Sequence, residues 1–130
     1  MYWTHFTLPL SDLEGSIKFF TDICGLTVVR DRRLEGGSTV WLGPKPVEGD
    51  DPAFVLVAYR GEVKEPLDHF GFQCDTREQV TSIANLARER GILVEGPIDF
   101  GGSVGYFAVL REPSGHLVEF THGQPMRGLR

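Results

Sequence analysis

Two passages of this chain repeat one another. Trp3-Thr4-His5-Phe6-Thr7 and Leu67-Asp68-His69-Phe70-Gly71 each open a strand-like run that leads into a helix-like one. A chain of 130 residues whose two matched histidines stand 64 positions apart reads as a tandem of two half-size units. Each half then presents one imidazole from the equivalent place on its first strand.

A carboxylate, Glu119, lies in the last strand-like run, Gly115-His116-Leu117-Val118-Glu119-Phe120-Thr121, which is apolar enough that a charge there needs a reason. A lone strand histidine is ordinarily a hydrogen-bonded core or surface residue, and a lone glutamate in a terminal strand ordinarily faces solvent. Repetition shifts the balance, because chance does not favour imidazole at matched positions of two half-chains. His5, His69 and Glu119 together make a candidate metal site. Neutral imidazole nitrogens plus one carboxylate leave open positions on Fe(II), Mn(II), Zn(II), Co(II) or Ni(II), the arrangement used where a metal binds substrate directly.

The elements follow the repeat. Tyr2 to Leu10 alternates as a strand; Ser11 then stands as N-cap, with Glu14 returning the bond as a capping box. Leu13, Ile17, Phe20 and Ile23 recur at helical spacing over about twelve residues, and Gly25 stops the helix. Leu26–Arg32 and Ser38–Leu42 read as a hairpin around Glu35-Gly36-Gly37, and Ala53–Tyr59 as a fourth strand after a Pro/Gly-rich loop. The charged stretch Arg60–Pro66 is the expected linker. The second half repeats the order with a strand Asp68–Cys74, a helix Arg77–Arg90 burying Val80, Ile83, Leu86 and Ala87, and strands Val94–Gly96, Val104–Leu110 and His116–Thr121. Each half is strand, helix, three strands. A four-stranded unit of that size leaves one sheet face bare, so the two halves are expected to form curved mixed sheets around a central cleft.

Strand parity says what lines such a cleft. Thr7 goes with His5, Gly71 and Gln73 with His69, and Leu117 and Thr121 with Glu119. Phe54, Leu56, Phe107 and Val109 are expected to face inward too and to bind substrate in an apolar, partly aromatic surround, although the same residues also suit ordinary sheet core. Shifting Glu119 back by the repeat length lands near Val55 and Leu56, so the first half has no matching carboxylate and the ion receives three protein ligands.

Composition excludes several classes. With 41% hydrophobic residues the chain is neither disordered nor membrane-bound, and no run approaches the ~18 apolar residues of a spanning helix. Its formal charge of −5, with no basic run longer than Arg30-Asp31-Arg32-Arg33, makes nucleic acid an unexpected partner. Met1-Tyr2-Trp3-Thr4-His5 shows no secretory pattern, so a cytoplasmic location is expected. Cys24 and Cys74 lack CxxC spacing and read as buried free thiols. Arg127 and Arg130, in the tail, are candidates to reach an anionic substrate, although terminal arginines are ordinarily solvated. Asp12, Glu14, Glu112 and His122 read as capping or surface residues.

At this point the residues carry a family resemblance. Trp3 to Gly25, read as xxHFTLxLSDLxxSIxFFxDxxGL, and Arg111-Glu112-Pro113-Ser114-Gly115-His116-Leu117-Val118-Glu119 resemble the opening and closing signatures of the vicinal oxygen chelate superfamily. That superfamily includes glyoxalase I, bleomycin-resistance proteins, fosfomycin-resistance thiol transferases, methylmalonyl-CoA epimerase and extradiol dioxygenases. The resemblance implies an α+β fold of paired βαβββ modules, one glyoxalase-like domain over residues 1–130 with modules at about 1–60 and 67–123. It also implies a homodimer in which the first-strand ligand often comes from one subunit and the later ligands from the other. His5, His69 and Glu119 match the ligands of the first, fifth and eighth strands, and Thr7 matches a threonine of the fosfomycin enzymes. Leu56 falls where glyoxalase I has a further glutamate and the epimerase a glutamine; Val109 falls where ring-cleaving and fosfomycin enzymes usually place a tyrosine.

The expectation is a divalent-metal-dependent enzyme that chelates a small oxygen-rich organic substrate, with Glu119 both ligand and catalytic carboxylate. The alternative is a metal-free binding protein of the bleomycin-resistance kind, which sequesters an aromatic ligand in a dimer groove. The His5, His69, Glu119 set favours the enzyme, since sequestration has no need of it.

Overall fold

Both helices begin at equivalent places. In a computed structural model describing residues 3–65 and 67–128, Asp12 caps α1 (Leu13–Asp22) by accepting from the Gly15 amide at 3.0 Å, and Thr76 caps α2 (Arg77–Glu89) by accepting from the Gln79 amide at 3.1 Å. Tyr2, expected in the first strand, and Pro66, expected in the linker, lie outside the described residues. The expected N-cap, Ser11, is one residue early. A capping oxygen bonds the amide three residues on, and it is Asp12 that has Gly15 at that offset. Glu14 is therefore not part of a capping box and instead accepts from Arg33 at 2.6 Å. Gly25, at φ 71°, and Gly91, at φ 69°, follow the two helix ends, where left-handed backbone suits glycine alone.

Two units result, one running through Lys64 and the other from Glu65 to Gly128. In the first, β1 (His5–Leu10), β2 (Thr27–Asp31), β3 (Thr39–Gly43) and β4 (Val55–Arg60) form a four-stranded mixed sheet in the order β1-β4-β3-β2, with β1 and β4 parallel. In the second, β5 (Phe70–Gln73), β6 (Leu93–Gly101), β7 (Gly105–Arg111) and β8 (Leu117–His122) repeat that sheet as β5-β8-β7-β6, with β5 and β8 parallel. Both are βαβββ modules, the α+β architecture expected.

Register assigns a core to each module. Leu8 lies beside Ala58, Leu42 beside Leu56 and Val40 beside Ala58, and these five residues are buried on the face that α1 covers with Phe19 and Phe20. In the second module Phe72 and Ala108 flank Phe120, Leu110 flanks Val118, and α2 adds Val80, Ala84 and Ala87. Burying side chains of this size contributes roughly 1.5–3 kcal/mol each, which is what holds each helix on its sheet.

β6 runs further than the sequence suggests. The expected strand Val94–Gly96 begins at Leu93 and continues through Pro97 to Gly101, because β6 is an edge strand and its pairing with β7 skips from Glu95 to Ile98. A residue without an N–H is tolerated there. Both cysteines are free, Cys74 buried and Cys24 half-buried. Among the described residues no helix is long and apolar enough to cross a membrane. In the basic run, Arg30 is engaged by Glu35 and Arg33 by Asp31 and Glu14.

Candidate functional site

With α1 and α2 each covering one face of a sheet, the other face of each module carries the residues singled out in the sequence. His5 opens β1 and shares its side of the strand with Thr7; both are exposed, whereas Leu8 and Leu10 are buried. Across the β1/β4 pair, His5 lies beside Val55 and Thr7 beside Val57. In the second module His69 immediately precedes β5, Gly71 lies beside Glu119 and Gln73 beside Thr121. Val109 lies beside Glu119 and Phe107 beside Thr121 on the neighbouring strand, so all four share one face.

Two of the substrate residues expected on that face in the first module are elsewhere. Leu56 pairs with Phe6 and packs in the core beneath α1, and Phe54, just before β4, sets its ring against Phe6 with centroids 5.9 Å apart. The position matching Glu119 is Val57, since it stands to Thr7 as Glu119 stands to Gly71. A fixed repeat length misses this. From N-cap to this position is 45 residues in the first module (Asp12 to Val57) and 43 in the second (Thr76 to Glu119). Val57 is no more a ligand than Leu56, so the first module still offers no matching carboxylate.

A pocket of about 270 Å³ opens on the second module's sheet, lined by His69, Gly71, Gln73, Glu119, Thr121 and Met126 among others. Sequence reading pointed to the first five; Met126 and Gln124 come from the segment after β8, for which the sequence holds no signal. The Gln73 side-chain amide donates to the Met126 carbonyl at 2.9 Å and ties that segment to the sheet. Thr121 Oγ1 donates to backbone carbonyls of Val104 and Tyr106 at 3.4 and 3.3 Å. Phe107 is covered by the stacked ring of Phe100, 5.8 Å away. Arg127 is exposed and is not among the pocket's lining residues; Arg130 lies outside the described residues.

Each histidine has its Nδ1 engaged by the side chain just before it: Thr4 Oγ1 at 2.9 Å from His5, and Asp68 Oδ1 at 2.6 Å from His69. A carboxylate has no proton to give, so His69 Nδ1 carries the hydrogen, and in the neutral imidazole Nε2 then keeps a bare lone pair. Such a nitrogen is what a metal takes. Among the described residues, no three His, Cys, Asp or Glu side chains of one chain gather into a metal-holding group. Tyr106, beside His122 on β7, bonds Thr81 of α2 at 2.7 Å and so stands on the face opposite Val109.

Glu112, expected as a capping or surface residue, is buried and caps turn amides, and His116 of the same closing signature is buried too. Glu112 accepts from the amides of Ser114 and His116, both at 3.0 Å, and His116 Nδ1 accepts from the Leu67 amide at 3.2 Å. The signature is thus a structural clasp that launches β8, and with it Glu119, in register.

The sequence profile of the Glyoxalase/Bleomycin resistance protein/Dioxygenase superfamily matches residues 3–120. The chain belongs to that superfamily. An uncharacterized protein of Pseudomonas aeruginosa is 34% identical over 128 residues, covering 95% of this chain and 89% of that protein. A lactoylglutathione lyase of Arabidopsis thaliana is 25% identical over 126 residues, which cover 93% of this chain and 44% of that protein, so this chain spans less than half its length. Among solved structures, that of a possible glyoxalase from Bacillus cereus aligns with TM-score 0.70 and 28% identity over 93% of this chain and 98% of that one. Superfamily membership accounts for the tandem βαβββ modules and for the two signatures at the ends of the match.

Proposed function

We propose that this chain is a divalent-metal-dependent enzyme that binds a small oxygen-rich organic substrate by bidentate chelation. The observation that carries this reading is that His69 and Glu119 line one pocket, with the His69 Nε2 lone pair left available by the Asp68 bond. His5 supplies the third donor, in a homodimer from one subunit while His69 and Glu119 come from the other, as the family resemblance implies. Two imidazoles and a carboxylate suit Fe, Mn, Zn, Ni or Co. When bound, such an ion acts as a Lewis acid that holds adjacent substrate oxygens and offsets negative charge developing on them.

The chain's own residues do the rest. Val109 and Phe107 share the sheet face of Glu119 and Thr121 but do not line the pocket, Phe107 being covered by Phe100, so they back the site with apolar sheet and do not form its floor. Glu119 holds its carboxylate over Gly71, where it serves as ligand and as the group that accepts or returns a substrate proton. Val57, on the first module's corresponding position, brings no carboxylate, which leaves about two or three coordination positions for substrate and water. The similarity to a lactoylglutathione lyase favours an enzyme over a sequestering protein. Two free thiols suit a reducing, cytoplasmic setting.

Elemental analysis of protein purified without chelator or nickel resin tests the reading. About one divalent ion per subunit is expected, falling to background in His69→Ala and Glu119→Gln. A wild-type protein that retains no ion after incubation with each of the five metals, yet binds aromatic ligands tightly, overturns it in favour of the sequestering alternative.

A further inference from the structure

The bond from His69 to Asp68 repeats, at the matched place in the other module, the bond from His5 to Thr4. In both, the side chain immediately before the histidine holds Nδ1. The two pins differ in one respect, since a hydroxyl gives or takes a hydrogen whereas a carboxylate only takes one. Neutral His69 is therefore biased toward the tautomer with Nε2 unprotonated, while Thr4 permits either form of His5.

We propose that Asp68 is a positioning residue for His69, holding the Nδ1–H tautomer and raising the donor strength of Nε2 toward a metal. The proposal rests on the metal reading above for its consequence but not for its geometry. Asp68 is almost fully exposed and His69 half-exposed, so in the metal-free protein the bond competes with water and contributes little to stability. Its value lies in removing a tautomeric choice before an ion arrives. A ligand imidazole that is free to place its hydrogen on either nitrogen must give up that freedom on binding, and a partner carboxylate also delocalises the charge that the imidazole donates. Outer partners of this kind are worth about 10- to 100-fold in metal affinity. Nothing in the half-chain repeat demands an acid here, because the first module uses threonine at the same place.

The test compares Asp68→Leu, Asp68→Asn and wild type above pH 8, with two readouts. The first is the His69 tautomer in metal-free protein, read from long-range 15N–1H correlation of the imidazole. The second is Mn(II) and Zn(II) affinity by chelator competition. Wild type is expected in the Nδ1–H form. Asp68→Leu is expected to shift toward the Nε2–H form and to bind ~10- to 100-fold more weakly. Asp68→Asn, whose amide can give as well as take a hydrogen, is expected to permit both tautomers, as Thr4 does for His5, and to bind with an affinity between those of the other two proteins. An unchanged tautomer in Asp68→Leu overturns the proposal, as does a shifted tautomer with unchanged affinity. A wild type that binds neither metal overturns the metal reading instead, and the tautomer result then still decides whether Asp68 positions His69.

Discussion

Gly71 lies directly beside Glu119 in the β5/β8 pair, so close that a Cβ built on it comes within 3.4 Å of the Glu119 carboxylate and 3.2 Å of its carbonyl oxygen. The carboxylate packs against the bare glycine, where the outer atoms of a larger side chain would stand. Gly71→Val fills that space with a residue that favours strands, and the sheet need only yield slightly where the added Cβ crowds the Glu119 backbone carbonyl. Thermal midpoint should stay within ~5 °C of wild type while Glu119 is pushed from the pocket and the affinity for added divalent metal falls by about tenfold or more. Equal metal affinity in the two proteins would show that the carboxylate does not need this space.

Val57 and Leu56 are adjacent but point to opposite faces. Val57→Glu places a carboxylate beside Thr7, on the face that carries His5, and should leave the melt within ~5 °C of wild type while strengthening metal retention against a chelator. Leu56→Glu places it beneath α1 with no partner and should cost more than ~4 kcal/mol, measured as lost soluble or cooperatively folding protein. The reverse ranking would mean that the register of β4 is shifted by one.

The apolar residues at Val57 and Val109 also bear on activity. Purified wild-type protein is expected to show little methylglyoxal–glutathione isomerisation, little catechol cleavage with Fe(II) and little thiol transfer to fosfomycin with Mn(II). Robust turnover in any of these three assays would refute the expectation and name the activity.

Glu112 is 1% exposed and holds two amides of the turn before β8. Glu112→Ala leaves both amides buried without their acceptor, and the expected loss is about 2–4 kcal/mol by urea unfolding. A loss below ~1 kcal/mol would show that water replaces the carboxylate at no great cost.

Burial first, and then the neighbouring charge of Asp75, pushes the Cys74 thiol up to about 11 from an ordinary 9.0. The folded protein thus favours the protonated thiol. The stability this contributes is fully present below pH 9.0 and is lost as pH rises toward 11, because the unfolded chain releases its proton first. Alkylation of native Cys74 by iodoacetamide at pH 8.5 should be ~100-fold slower than that of a free cysteine, and Cys74→Ala should weaken the fall in stability between pH 9 and 11. Alkylation at the free rate would contradict the burial.

The doubled phrase around His5 and His69 and the helical spacing of Leu13, Ile17 and Phe20 were enough to read two βαβββ modules. Both signals are local, since a strand shows its period in five residues and a helix in ten. The same alternation identified Gly71, Gln73, Thr121, Phe107 and Val109 as sharing a face with Glu119, because parity needs only the identity of the strands. It could not place Leu56. Which residue stands beside Thr7 depends on where β4 enters the sheet, and the whole segment from the helix N-cap to that position is two residues longer than its counterpart. A shift of one position exchanges core for site. Nor could it show that Met126 walls the pocket or that Glu112 is buried, for these follow from contacts between distant segments. Sequence alone determined the repeated elements and their faces, which are set by covalent geometry and side-chain polarity. Tertiary structure decided the register, the Nδ1 bonds and the pocket wall, because each depends on which strands and segments are brought side by side.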